Sequence, residues 1–280
     1  MPSVKEIIDS QSHGTCSTAT VRGLSLQIIA EMNLIIPNVL VNCEDLNIVP
    51  TSLAVNSFLQ PAAKDALHRA IKARANAPLR LTSAYRTVAQ QHLLYSWYTM
   101  ASLCGIGLAA KPGLSNHEDG LAIDTPDFDD WRTALETQDW DWLGDTTSDE
   151  VHFTYMGSGV RDDIGNIGVQ AFQQLWNKNN PDDQIEAEGL FGPETAKRLN
   201  QSPAEGFPTV RLLKLTTPPM QGEDVKTVQQ ALIDVGLLNS TNNNSIYDAI
   251  TKAALEKFQN DKGLTPDGKV GPQTRKALGI

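Results

Sequence analysis

Two stretches near the C-terminus, EGLFGPETAKRL (188–199) and DGKVGPQTRKAL (267–278), follow one pattern: acid-Gly-x-apolar-Gly-Pro-x-Thr-x-basic-x-Leu. A Phe-Gln pair precedes each copy, Phe172-Gln173 and Phe258-Gln259. Such a repeat confines this part of the chain to small, locally built helical units. Gly-x-x-Gly-Pro makes a tight turn, proline occupies the first turn of a helix, and Thr195 or Thr274 opens that helix. Before the second copy, DVKTVQQALIDVGLL (224–238) carries Val225, Val228, Leu232 and Val235 at helical spacing. YDAITKAALEKFQNDKGL (247–264) predicts another helix, with Gly263 as its C-terminal stop. Three helices are therefore expected over 220–280. The first copy, over 165–200, reads as a shorter version without an obvious first helix. Pro203, Pro208, Pro218 and Pro219 mark a linker over 203–219.

Upstream the pattern changes. Helices are expected over 61–75, with Pro61 at the start, over 87–103 and over 128–138. Short strands are expected at 79–86, 120–124 and 150–155. LSLQIIAEMNLIIPNVLV (24–41) is broken by Glu31, Asn33 and Pro37 and reads as core helix and loop. Helices beside a few strands predict an α+β domain with a small antiparallel sheet, followed by small all-α modules. A hydrophobic content of 40% supports a packed core. The net charge of -10 argues against a nucleic-acid backbone as partner. No apolar run approaches a membrane span. The N-terminus does not read as a secretory signal, so synthesis in the cytoplasm and later release or delivery is expected. Cys16, Cys43 and Cys104 form no CxxC pair; buried neutral thiols are expected, with at least one unpaired within the chain.

The chemistry gathers in SNHEDGLAID (115–124) and the later histidine of EVHFTY (150–155). His117, Asp124 and His152 could supply three ligands to a catalytic zinc, leaving one position open. Gly120 permits a turn between the first two. A water nucleophile also needs a general base. Strand alternation puts Glu150 on the face of His152, but GDTTSDE (144–150) approaches as a turn, so Asp149 and Glu150 both remain candidates. His13, His68 and His92 lack such a setting and are expected to be structural or exposed.

Ser115-x-His117-x-x-Gly120-x-Ala122-x-Asp124, followed by acid-x-x-His-Phe at 149–153, resembles the zinc D-Ala-D-Ala metallopeptidase family of D,D-carboxypeptidases and L-alanyl-D-glutamate endolysins. So does the upstream Ser83-Ala84-Tyr85-Arg86, with Gln90 or Gln91 after it. The resemblance covers about 50–155. It implies one catalytic zinc on His117, Asp124 and His152, with Asp149 as the acid/base. It implies that Arg86 binds a substrate carbonyl or carboxylate and stabilises the oxyanion, with Ser115 and Gln90 as substrate contacts. The C-terminal helices resemble a peptidoglycan-binding domain, which implies peptidoglycan as partner and action at the bacterial cell wall. No nucleic acid, membrane span or obligate protein partner is inferred.

The expected layout is a zinc peptidase domain at 1–157 (core 50–157), a short peptidoglycan-binding-like repeat at 158–202, a linker at 203–219 and a three-helix peptidoglycan-binding domain at 220–280. The expected function is zinc-dependent cleavage of peptidoglycan stem peptides. Many carboxypeptidases of the family carry glutamate at the position of Asp149, often with tryptophan before the last histidine, where this chain has Val151; aspartate at 149 resembles the endolysin branch more. Two alternatives are a D,D-carboxypeptidase that removes terminal D-Ala and a non-catalytic wall-binding protein with structural zinc.

Overall fold

A computed structural model describes residues 1–10, 16–100, 103–145, 149–208 and 211–280. They form two units, Met1–Phe207 and Pro208–Ile280. His13 lies outside the described residues. Among the described residues, no helix is long and apolar enough to cross a membrane.

The first unit opens with helices α1 (Val4–Ser10) and α2 (Arg22–Ile35). Strands β1 (Val41–Asn42), β2 (Ile48–Pro50) and β3 (Phe58–Leu59) lead to α3 (Pro61–Ala73), then β4 (Leu79–Leu81) and α4 (Val88–Thr99). Next come β5 (Ala122–Asp124), α5 (Phe128–Glu136), β6 (Trp140–Trp142) and β7 (His152–Tyr155), and the unit closes with α6 (Ile164–Asn179) and α7 (Pro193–Gln201). β1 pairs antiparallel with β3, and β2 pairs parallel with β4. The sheet that matters for the site is antiparallel, in the order β5-β7-β6. An α+β unit with small sheets is therefore what the alternating short patterns produce.

Two apolar clusters hold this unit. One gathers α3, whose buried face is Ala63, Ala66, Leu67, Ala70 and Ile71, against Leu79, Leu81, Ile123, Trp131, Trp140 and Phe153. The spacing of that α3 face is the amphipathic helical one. The other cluster joins Leu24, Ile28 and Met32 of α2 and Val88, Leu93 and Trp97 of α4 to Ile164, Val169, Phe172, Trp176, Leu199 and Phe207. The expected boundary between 157 and 158 thus does not coincide with a break in the core. α2 leaves an apolar face that α6 covers. The start of α2 also packs closely on the chain that follows α7, since a Cβ built on Gly23 would lie 1.9 Å from the Glu205 carbonyl oxygen.

The cysteines depart from expectation. Cys16 and Cys104 form a disulfide, and only Cys43 is a buried free thiol, its pKa pushed up to about 12 by burial. His92 is buried and hydrogen-bonded to Asn200 at 2.9 Å, and His68 is half-buried.

The second unit contains α8 (Glu223–Asp234), α9 (Ala249–Asp261) and α10 (Pro272–Leu278). Its core takes Val225, Val228 and Leu232 from α8, Leu255 and Phe258 from α9, and Tyr247 and Val270 from the turns between. Val235, expected on the apolar face, caps α8 and is 51% exposed because the helix has ended before it.

Candidate metal centre

The β5-β7 register places Asp124 directly opposite His152. In an antiparallel pair, residues directly opposite on one face lie within side-chain reach. The Asp124 carboxylate meets His152 Nδ1 at 2.9 Å and His117 Nε2 at 3.3 Å. Residues 115–120 fold into a turn that delivers the third member. The Ser115 carbonyl accepts from the Glu118 and Asp119 amides at 2.7 and 3.2 Å, and the His117 carbonyl accepts from Gly120 N at 3.3 Å. Gly120 has φ +67°, and a Cβ there would lie 2.7 Å from Leu40 Cδ2. Both facts call for glycine. The turn is tied to the Tyr85-Arg86 motif because Arg86 N donates to the His117 carbonyl at 3.0 Å.

Both imidazoles are oriented from behind. His117 Nδ1 lies 2.7 Å from the Ala84 carbonyl, which can only accept, so Nδ1 carries the proton and Nε2 presents its lone pair. His152 Nε2 lies 3.0 Å from Thr154 Oγ1, which leaves Nδ1 facing the cluster. Such outer hydrogen bonds fix the tautomer of a metal-binding histidine. One ligand atom from each of His117, Asp124 and His152 lies within 4.8 Å of the others. The three residues fit a metal ion: two imidazoles and one carboxylate converge with their outer sides held.

The electrostatics agree with that geometry. Burial lowers the His117 pKa, and the nearby Arg86 charge lowers it further. Burial alone would raise the Asp124 carboxyl. The neighbouring His117 and His152 outweigh it and hold the group well below the usual carboxylate range. Asp124 is therefore ionised and His117 neutral, the forms that bind a cation.

Arg86 borders the cluster. Its guanidinium is 3.9 Å from the Asp124 carboxylate, and it donates to Ser83 Oγ at 3.3 Å and to Gln91 Oε1 at 3.0 Å. Burial lowers its pKa, while Asp124, Glu118 and Asp149 act in the opposite direction. Asp149 thus lies near enough for its charge to be felt at Arg86. Its carbonyl also accepts from His152 N at 3.3 Å, so it stands in the turn that starts β7. Glu150 is held through its backbone, whose carbonyl accepts from Trp142 Nε1 at 2.6 Å. Both acids are exposed.

The expectation that Gln90 contacts substrate does not hold in this structure. Gln90 is 2% exposed and forms a capping box with Thr87 at the start of α4. Its amide also binds Asn56 Nδ2 at 2.7 Å and the Ala54 carbonyl at 2.7 Å. The neighbour on the site side is Gln91, which grips Arg86 and donates to the Ala110 carbonyl at 2.8 Å. Ser115 is nearly buried and contributes its backbone to the turn.

Glu118 was missed by sequence reasoning. It is 2% exposed and accepts from Gly113 N at 2.9 Å and Ser115 N at 3.2 Å, closing the loop before His117. Burial pushes its pKa up to about 8. An acid inside a glycine-containing loop gives no sequence signal that separates it from a solvated one.

Residues 56–160 match the family model for D-alanyl-D-alanine carboxypeptidase, and residues 221–278 match that for a putative peptidoglycan binding domain. No curated protein and no solved structure matches the chain. Arg86, Ser115, His117, Asp124, Asp149 and His152 all fall inside the first match, and α6 and α7 lie outside both.

Proposed function

From a chain whose residues 56–160 form a domain of the D-alanyl-D-alanine carboxypeptidase family and whose residues 221–278 form a peptidoglycan-binding domain, we propose a zinc-dependent peptidoglycan hydrolase that cleaves stem peptides at L-Ala-D-Glu or a similar internal bond. The observation that carries this reading is the convergence of His117 Nε2, Asp124 and His152 Nδ1, with Arg86 beside them. Zinc bound there would supply Lewis acidity towards a water and a peptide carbonyl. Asp149 takes a proton from the attacking water and passes it to the leaving amine. Arg86, held by Ser83 and Gln91, stabilises negative charge on the carbonyl oxygen. The peptidoglycan-binding domain keeps the enzyme on its polymer and raises the effective substrate concentration. The bond assignment leans on aspartate at 149. The family description favours a second reading, removal of terminal D-Ala, and the two differ in their products.

The metal requirement has a direct test. Purified protein should contain about one zinc per chain, as expected from three ligands and one open position. Chelation should abolish hydrolysis of soluble muropeptides, and added zinc should restore it. Full hydrolysis by a demetallated sample would contradict the reading.

A further inference from the structure

Buried glutamines organise both halves of the C-terminal repeat in the same way. In the second unit, Gln259 Nε2 donates to the Lys269 carbonyl at 3.0 Å and Thr274 Oγ1 at 3.1 Å, while Gly268 N donates to its Oε1 at 3.0 Å. In the first unit, Gln173 Nε2 donates to the Leu190 carbonyl at 3.1 Å and Thr195 Oγ1 at 3.0 Å, and Gly189 N donates to its Oε1 at 2.9 Å. The two threonines then donate to those same carbonyls, each at 3.3 Å. Gln229 repeats the scheme with Ile246, Thr251 and Ser245, so the network by itself is a scaffold.

The Gln173 and Gln259 copies share more than the scaffold. Each lines a cavity of about 400 Å³. In both, the glutamine and threonine are part of the lining, the Gly-Pro turn (Gly192-Pro193 or Gly271-Pro272) forms one wall, and the acid before the network glycine, Glu188 or Asp267, forms another. Apart from Leu212, the second cavity is lined by the segment that matches the putative peptidoglycan binding domain; the first lies in the first unit, outside either family match. We infer that the cavity at Gln173, Gly192 and Glu188 is a second peptidoglycan-binding site, built into the catalytic unit. This rests on the wall-tethered reading above. The two sites bind one polymer at once, so losing either weakens attachment and losing both removes it.

Matched blocking substitutions test this in the full chain. Gly192 and Gly271 both have extended backbone, with φ −118° and −89°. A Cβ meets nothing within 4 Å at Gly192 and only Leu212 Cδ1 at 3.8 Å at Gly271. Gly192→Phe and Gly271→Phe therefore place an aromatic ring at the cavity walls without backbone strain. Glu188→Trp, at an exposed rim position outside the network, is a second block for the first cavity. Binding is read by co-sedimentation with purified sacculi in EDTA, and fold by near-ultraviolet circular dichroism. Each single block is expected to weaken binding about ten-fold, and the double variant to fall to background. If folded Gly192→Phe and Glu188→Trp both sediment like wild type, and the double variant behaves like Gly271→Phe alone, the second site does not exist. If wild type itself fails to sediment, the wall-tethered reading falls with it.

Discussion

Asp149→Ala should lower kcat on soluble muropeptides by about 10²–10⁴, the usual range for loss of a general acid–base, while leaving zinc content and fold intact. Glu150→Ala should cost far less. In a strand that began at Glu150, alternation would favour that residue, because residues two apart share a face, but β7 begins at His152. The turn changes this. Asp149 precedes the strand, its carbonyl bonds His152 N, and its charge is felt at Arg86. A base must reach the water beside the ligands, not lie parallel to His152. Neither acid belongs to the His117-Asp124-His152 cluster, so metal analysis separates loss of the base from loss of the ion. A zinc-replete, inactive Glu150→Ala beside an active Asp149→Ala would reverse the assignment.

A chain ending at Gly157 should fail to fold, whereas one ending at Phe207 should fold and hydrolyse soluble muropeptides. The shorter chain keeps every residue of the metal cluster. It loses Ile164, Val169, Phe172, Trp176, Leu199 and Phe207 from the core shared with α2 and α4. Burial of a large apolar side chain contributes about 1.5–3 kcal/mol, so the loss is on the order of 10 kcal/mol. That matches the whole stability of a typical domain, about 5–15 kcal/mol. It also uncovers the apolar face of α2 and invites aggregation. Circular dichroism and gel filtration of the two truncations check this. A monomeric, cooperatively folded 1–157 chain would show that the α2 face is covered in some other way.

What the sequence made legible follows from how local each feature is. His117, Asp124 and His152 could be grouped because a glycine turn and two short strands already bring their motifs together. The later register, with Asp124 opposite His152, is the simplest pairing of those strands. The α3 face and the two Gly-Pro helix starts were equally local. The role of Gln90 was also within reach: Thr87-x-x-Gln90 is a capping-box pattern, which commits that glutamine to the helix end and leaves Gln91 to face the site. Other features depend on contacts between distant segments. The Cys16–Cys104 disulfide spans 88 residues, and no spacing rule predicts it. The packing of α6 on α2 joins segments more than a hundred residues apart, so a repeat that reads as a separate module became part of the first unit's core. Glu118 differs from a surface acid only through burial, which composition does not carry.

The most direct test of the central claim is mass spectrometry of purified, cross-linked and uncross-linked muropeptides after digestion with the zinc-loaded protein. The account predicts cleavage within the stem peptide, releasing the peptide from its muramyl-L-Ala end, with no product when EDTA is present. Loss of a single terminal D-Ala would move the assignment to carboxypeptidase action. Unchanged muropeptides, with zinc present and the fold intact, would contradict catalysis altogether.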